Sequence, residues 1–314
     1  MPLPTILVTH SDFALHPTPR GHPESPERIT ATLPRLRSSL PETIRWVDPR
    51  MGTSDLLRSV HTEAHIRRVE DASRNGLVLL DEGDTYAGPR SFGTALLAAG
   101  AATTAIDLVA SGEATNAFAL VRPPGHHARP NAPMGFCLFN TVAVAARYAQ
   151  RKHGCRRILI LDWDLHHGNG TQEIFEEDAS VLFISLHEHP LYPGTGRASE
   201  RGKGEGEGFT LNLPMKPGSG DAEYRIAFEE KVLPAADAFR PDFVLVSAGF
   251  DAHRDDPLGN LMLSEEGFAE MTRRVRGVAE RHCRGRLVSV LEGGYDIDAL
   301  GRSVHAHLCA LETT

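Results

Sequence analysis

Ile158-Leu159-Ile160-Leu161-Asp162-Trp163-Asp164-Leu165-His166-His167-Gly168-Asn169-Gly170 opens as an unbroken apolar run and ends in acids, imidazoles and glycines. A run that does not alternate suits a strand covered on both faces, as in a parallel sheet. Its polar end then falls at the carboxyl edge of that sheet, where open α/β folds bind ligands. Phe243-Val244-Leu245-Val246 repeats the apolar pattern. Strands are expected over 5–10, 117–121, 157–164, 181–187, 209–214, 243–251 and 286–292, with a weaker one at 44–47. Helical stretches are expected between them over 92–111, 141–153, 222–239, 265–283 and 298–311, the fourth capped by Ser264. Strands alternating with helices predict an α/β fold, a parallel sheet between helix layers. No linker divides residues 1–314, so a single domain is expected. The glycine-rich stretch 202–208 precedes a strand where a dinucleotide motif would precede a helix, and reads as a surface loop.

Composition narrows the function classes. A chain of 314 residues can bury about three quarters of its surface without disulfide staples. Apolar residues at 41% and charged residues at 24% are ordinary for a globular protein and not for a disordered one. A net charge of -8 argues against a general nucleic-acid or membrane binder, and leaves a cationic substrate open. Cys137, Cys155, Cys283 and Cys309 form no CxxC pair, so reduced thiols and a cytoplasmic setting are expected. The N-terminus lacks a basic leader with an apolar core, and no stretch reads as long enough to span a membrane.

Four expected strands end in polar clusters. Val121 leads into Arg122-Pro-Pro-Gly-His126-His127, Leu161 into the cluster from Asp162 to Asn169, Ser247 into Asp251-Ala-His253, and Leu291 into Glu292-Gly-Gly-Tyr295. The Asp164-x-His166 spacing puts two side chains on one side of an extended segment. With Asp251 they make one imidazole and two carboxylates, a donor set that suits zinc with a position left for water. His126 and His127 follow a stiff Pro-Pro-Gly turn, and a nearby imidazole can take the proton of a metal-activated water. Asp162 and Asn169 are natural partners for orienting those rings. Tyr295 follows two glycines and can donate a hydrogen bond to an oxyanion. Each signal alone has a plainer reading as a cap, a turn or a solvated pair; together they describe a site.

The chain resembles the histone deacetylase and acetylpolyamine amidohydrolase superfamily, most closely its class II-type and bacterial members. The resemblance rests on Gly21-His-Pro-Glu-Ser-Pro-Glu-Arg28, Arg122-Pro-Pro-Gly-His-His-Ala128, Gly135-Phe-Cys-Leu-Phe-Asn140 and Asp162-Trp-Asp-Leu-His-His-Gly-Asn-Gly-Thr-Gln172. It continues through Ser185-Leu-His187, Tyr192-Pro-Gly-Thr-Gly196, Ala248-Gly-Phe-Asp-Ala-His253 and Glu292-Gly-Gly-Tyr295. It implies the arginase/deacetylase fold, with a parallel sheet of about eight strands. It implies zinc-dependent hydrolysis of an acetylated amine, usually lysine, with acetylated polyamines as the alternative. Asp164, His166 and Asp251 would then bind zinc. His127 would be base and acid, His126 with Asp162 its electrostatic partner, and Tyr295 the clamp on the substrate carbonyl.

The resemblance further implies one or two potassium ions. Asp162, Asp164, His166, Ser185 and Leu186 match the first site, and Phe175, Asp178, Val181 and Phe209 the second. Phe136 and Tyr192, with Gly135 and Gly294, would border the channel for the acyl-lysine stem, and Asp84 would hold substrate at its rim. Asn169 replaces the aspartate of class I members, which makes His127 less basic. Leu258 stands at the channel-gating position, where glutamate would favour cationic polyamines. A two-manganese ureohydrolase would need carboxylates where Gly168 and His253 stand, and a silent acyl-lysine binder would need a broken catalytic set. Cys137 beside Phe136 reads either as a redox-sensitive thiol or as a small buried hydrophobe. Assembly into a homo-oligomer is left open.

Overall fold

The computed structural model describes residues 3–312. In chain order its strands are β1 (Thr5–Val8), β2 (Arg45–Val47), β3 (Val78–Leu79), β4 (Tyr86–Ala87), β5 (Asn116–Ala119), β6 (Ile158–Asp162), β7 (Val181–Glu188), β8 (Thr210–Met215), β9 (Phe243–Ala248) and β10 (Leu287–Leu291). The helices are α1 (Glu27–Thr30), α2 (Thr32–Ser39), α3 (Ser54–Leu57), α4 (Glu63–Ala72), α5 (Ser91–Ala110), α6 (Thr141–His153), α7 (Asn169–Phe175), α8 (Asp221–Ala227), α9 (Leu233–Phe239), α10 (Glu265–Cys283) and α11 (Ile297–Leu311).

One 8-stranded sheet, ordered β2-β1-β5-β10-β9-β6-β7-β8, carries the fold, and every pairing in it is parallel. All strands expected from the sequence are present, the weak one at 44–47 included as the edge strand β2. β3 and β4 make a separate two-stranded antiparallel pair. Every residue of β6, β9 and β10 is buried, as strands covered on both faces of a parallel sheet are. The four strands whose ends carry polar clusters, β5, β10, β9 and β6, are consecutive in the sheet. Their loops therefore meet over one stretch of its carboxyl edge.

Two expectations need correction. The helix expected over 222–239 is present and helical throughout, but not uniformly α: a π-helical turn spans Phe228–Val232 between α8 and α9. Pro234, in the first turn of α9, has no N–H to donate and its ring would clash with the carbonyl four residues back, so the turn widens. Second, α5 is a 20-residue helix long and apolar enough to cross a membrane by length and composition. Most of it is buried against the sheet and α6, which makes it a core helix.

Alanine and glycine along α5 let the chain press close to it. A Cβ on Gly100 would lie 1.9 Å from the Arg50 carbonyl oxygen and 2.6 Å from the Gly52 nitrogen. Helix propensity alone favours Gly→Ala by about 1 kcal/mol. Here the backbone clash outweighs it, and Gly100→Ala should destabilise the fold by about 1–3 kcal/mol in urea denaturation. An increase in stability would show that residues 50–52 do not press on α5.

Candidate active site

Asp164 and His166 follow β6 and Asp251 follows β9, its hydrogen-bonded neighbour. Their ligand atoms all lie within 4.8 Å of one another. His166 Nδ1 is 3.2 Å from Asp164 Oδ1 and 3.1 Å from Asp251 Oδ2. The backbone is shaped to admit these carboxylates. A Cβ on Gly249 would lie 2.2 Å from Asp164 Oδ2, and one on Gly293 2.1 Å from Asp251 Oδ2. Gly293 N–H donates to Asp164 Oδ2 at 2.8 Å, and Leu165 N–H to Asp251 Oδ1 at 2.9 Å. Burial and the Asp164 charge push the Asp251 carboxyl up. Burial disfavours a charged His166 ring, yet its hydrogen bonds to Asp164 and Asp251 outweigh this and raise it to about 10. A proton on that ring supplies the positive charge that the donor set calls for. Two buried carboxylates and an imidazole converging on one point fit a divalent cation such as zinc.

His126 and His127 sit beside this cluster, rings 4.0 Å apart between centroids. His126 Nδ1 lies 3.0 Å from Asp162 Oδ2. Burial opposes its charge, but the Asp164 and Asp162 carboxylates hold His126 well above its ordinary value. His127 behaves oppositely: burial first, then His126 and His166, push it well below. Its Nδ1 is 2.7 Å from Asn169 Oδ1, while the Asn169 amide donates to Met134 Sδ at 3.4 Å. An amide oxygen only accepts, so Nδ1 carries the hydrogen and Nε2 keeps its lone pair. The paired His167 does not join the site; its nitrogens bond Thr195 Oγ1 at 2.8 Å and Gln172 Oε1 at 2.9 Å.

A cavity of about 270 Å³ opens over these groups, walled by Phe136, Tyr192, Leu191, Leu258, Pro23, Gly135 and Tyr295, with Asp84 among them. Tyr295 meets Phe136 edge-on at 5.7 Å, and burial with the Asp251 charge keeps its phenol protonated. Gly294 is not a wall residue: its carbonyl turns inward and accepts from Arg28 Nε at 2.7 Å. The Asp84 backbone carbonyl is tied to His22 Nε2 at 3.1 Å, which leaves its carboxylate at the cavity. Cys137 is fully buried, and burial pushes its thiol well up, the pattern of a small hydrophobe.

The residues matched to potassium fall in two places. Asp162 and Ser185 are register partners on β6 and β7, with Leu186 next along. Phe175, Asp178 and Val181 form the tight turn from α7 into β7, and the Phe209 carbonyl accepts from Phe183 of that strand at 2.9 Å.

Several residues take supporting roles that the sequence does not assign to them. Glu292 Oε2 accepts from the N–H groups of Gly125 at 2.6 Å and His126 at 3.0 Å, fixing the tandem-histidine turn to β10. Asp256 Oδ2 accepts from Tyr295 N–H at 2.6 Å. Arg28 also donates to the Glu292 carbonyl and stacks 5.0 Å from the Tyr295 ring centroid. The buried Glu24 carboxylate pairs with both Arg28 and Arg122. A charged residue directly after an apolar run, as in Val121-Arg122, is the one signal that could have exposed this network.

Comparison with known proteins decides the family. The histone deacetylase domain matches residues 22–311. The chain belongs to the histone deacetylase family. It is 45% identical over 297 residues to a probable deacetylase of Archaeoglobus fulgidus, covering 94% of this chain and 82% of that one. It is 45% identical over 287 residues to the histone deacetylase-like amidohydrolase of Pseudomonas aeruginosa, covering 89% and 74%. The human polyamine deacetylase HDAC10 is 42% identical over 316 residues, 96% of this chain and 47% of that protein. A crystal structure of the HDA15 HD domain superposes with a TM-score of 0.93 at 42% identity, covering 98% of this chain and 88% of the other. The histone deacetylase family fold expected from the sequence is thus the observed one, and the chain is a deacetylase that hydrolyses acyl amides.

Burial alone would raise the Glu24 carboxyl, but Arg122 and Arg28 hold it at about 2 against an ordinary value of 4.5. Its ion pairs therefore contribute stability that is fully present above pH 4.5 and lost as pH falls through about 2. Glu24→Gln leaves two buried guanidinium groups unpaired and should cost about 3–5 kcal/mol at pH 7. Urea denaturation across pH should also show a shallower acid limb in the variant. An unchanged stability at pH 7 would mean that the network is not holding Arg28 beneath the Glu292–Tyr295 loop.

Proposed function

We propose that this deacetylase removes the acetyl group from the ε-amine of acetyl-lysine in proteins or peptides, with one zinc ion held by Asp164, His166 and Asp251. The observation that carries the choice of substrate is the cavity wall: Phe136, Leu191 and Leu258 are apolar and Tyr192 adds an uncharged aromatic ring, which suits an uncharged four-carbon stem. Leu258 brings no carboxylate to meet a cationic chain. When bound, zinc would polarise the amide carbonyl and make water more acidic. Nε2 of His127 takes a proton from the attacking water and returns it to the departing amine. Asn169 fixes the tautomer that makes this transfer possible, and the charge on His126, balanced by Asp162, steadies the negative oxygen. Tyr295 donates its hydrogen to that oxygen as the carbonyl becomes tetrahedral. The two residue sets matched to potassium would hold monovalent cations behind this centre, Asp162 supplying charge to the first.

A second reading, acetylpolyamine hydrolysis, is favoured by the Asp84 carboxylate at the cavity, which could attract a second ammonium group. Acetate release from an acetyl-lysine peptide and from acetylspermidine, compared as kcat/KM on the zinc-loaded protein, separates the two. The peptide should win by about a hundredfold; the reverse ranking overturns the lysine assignment. Leu258→Glu should move the ratio toward the polyamine by about tenfold or more, and no movement would remove that residue as the selector. Tyr295→Phe should lower kcat by about 10²–10³ with zinc content unchanged. Retention of wild-type turnover in that variant would contradict the assigned oxyanion donor.

A further inference from the structure

The edge of the sheet opposite the active site is strongly basic, although the whole chain carries a net charge of -8. Three helix-to-strand turns meet there, entering the adjacent strands β10, β9 and β6. The α6–β6 turn carries Arg156 and Arg157, the α9–β9 turn Arg240, and the α10–β10 turn Arg284 and Arg286. Between them lies a cavity of about 620 Å³ lined by Arg156, Arg157, Arg286, His153, Cys155 and Asp242.

Its charges do not cancel. Asp242 pairs with Arg157 at 3.6 Å, Asp107 with His153 at 2.6 Å, and Asp237 with Arg281 at 3.1 Å. Among the described residues, Arg156, Arg240, Arg284 and Arg286 face no carboxylate at ion-pairing distance. Glu113 and Glu177 lie on the flanking turns before β5 and β7, outside the cavity lining. Helix C-termini attract cations, and this accounts for Arg151, Lys152, His153, Arg281 and His282 in the last turns of α6 and α10. It does not account for Arg156, Arg157 and Arg286, which lie beyond the caps. The three helix C-termini each bring about half a negative charge, which offsets part, but not all, of the charge on the five arginines of these turns.

The cleft is also built. Asp242 Oδ2 accepts the backbone N–H groups of Arg156 at 2.9 Å and Arg157 at 3.0 Å, locking that turn beside β9. Cys155 at the base is buried and its thiol is pushed up, so the cleft is not a thiol-reactive site.

We propose that this cleft binds a small organic anion carrying two phosphate groups. Guanidinium forks from two separate turns match phosphate oxygens in bidentate fashion. The volume suits a metabolite. A nucleic acid would need a row of stacking aromatics, whereas the lining offers no Phe, Tyr or Trp, and a membrane would need exposed large apolar side chains, none of which lies on these turns.

Calorimetric titration of the zinc-loaded protein with fructose 1,6-bisphosphate, fructose 6-phosphate and inorganic phosphate tests this. One bisphosphate should bind per chain, more tightly than either monophosphate and more weakly as salt rises. Arg156→Ala with Arg286→Ala should weaken it by at least about tenfold, with acetyl-lysine turnover unchanged. Arg157→Ala, whose partner Asp242 would remain bound to the turn, should weaken it less. Absence of saturable binding, or equal binding by the double variant, overturns the proposal. So does a short single-stranded RNA that binds this edge and is not displaced by the bisphosphate, because the surface would then be a nucleic-acid track.

Discussion

Two carboxylates of like charge, Asp164 and Asp251, are buried against each other at the ends of β6 and β9. Removing such groups from water is costly unless charge and hydrogen bonds compensate. Much of the surrounding structure serves that compensation. Backbone N–H groups of Gly293, Leu165 and His166 are spent on their oxygens. Gly249 and Gly293 lack the Cβ atoms that would occupy the carboxylate positions. His166 sits between the two acids, and His126 lies 3.7 Å from Asp164 Oδ1. The cluster is a charge trap whose remaining need is a cation.

The division of labour between His126 and His127 follows from the same field. Both are buried and adjacent, so the carboxylate partner decides which of them holds a proton. Asp162 gives that role to His126, while the neutral Asn169 amide leaves His127 with a free lone pair. One ring becomes a fixed positive charge and the other a proton shuttle. A second buried network, Glu24 with Arg28 and Arg122, bolts the Glu292–Tyr295 loop to the amino-terminal segment. Tyr295 therefore owes its position to residues far from the metal cluster in sequence.

Legibility in the sequence tracked burial by strand. β6 and β9 are plain because strands covered on both faces favour unbroken apolar runs, β10 is nearly so with Ser289 at its centre, and the polar residues just beyond them mark the site. Short helices left less trace: α1 and α3 have four residues each, and α2 has few apolar ones, so no period of 3.6 could develop. α4 is different, since Ile66, Val69 and Ala72 make an apolar stripe that a closer periodicity count would reach. The ion network was invisible for another reason. Glu24 meets Arg122 across 98 positions and Arg28 meets Gly294 across 266, and no local pattern encodes such a pairing. The motif implies a channel position for Gly294, whereas the inward turn of its carbonyl toward Arg28 is a matter of tertiary geometry.

The central claim is that the Asp164–His166–Asp251 cluster is completed by one divalent cation. Zinc titration into metal-free protein, followed by calorimetry and by thermal unfolding, tests it most directly. The account predicts one tightly bound zinc per chain, release of a proton on binding, and a rise in Tm that Asp251→Ala abolishes while the variant stays folded. Zinc that binds without raising Tm, or that raises it equally in Asp251→Ala, would contradict the account.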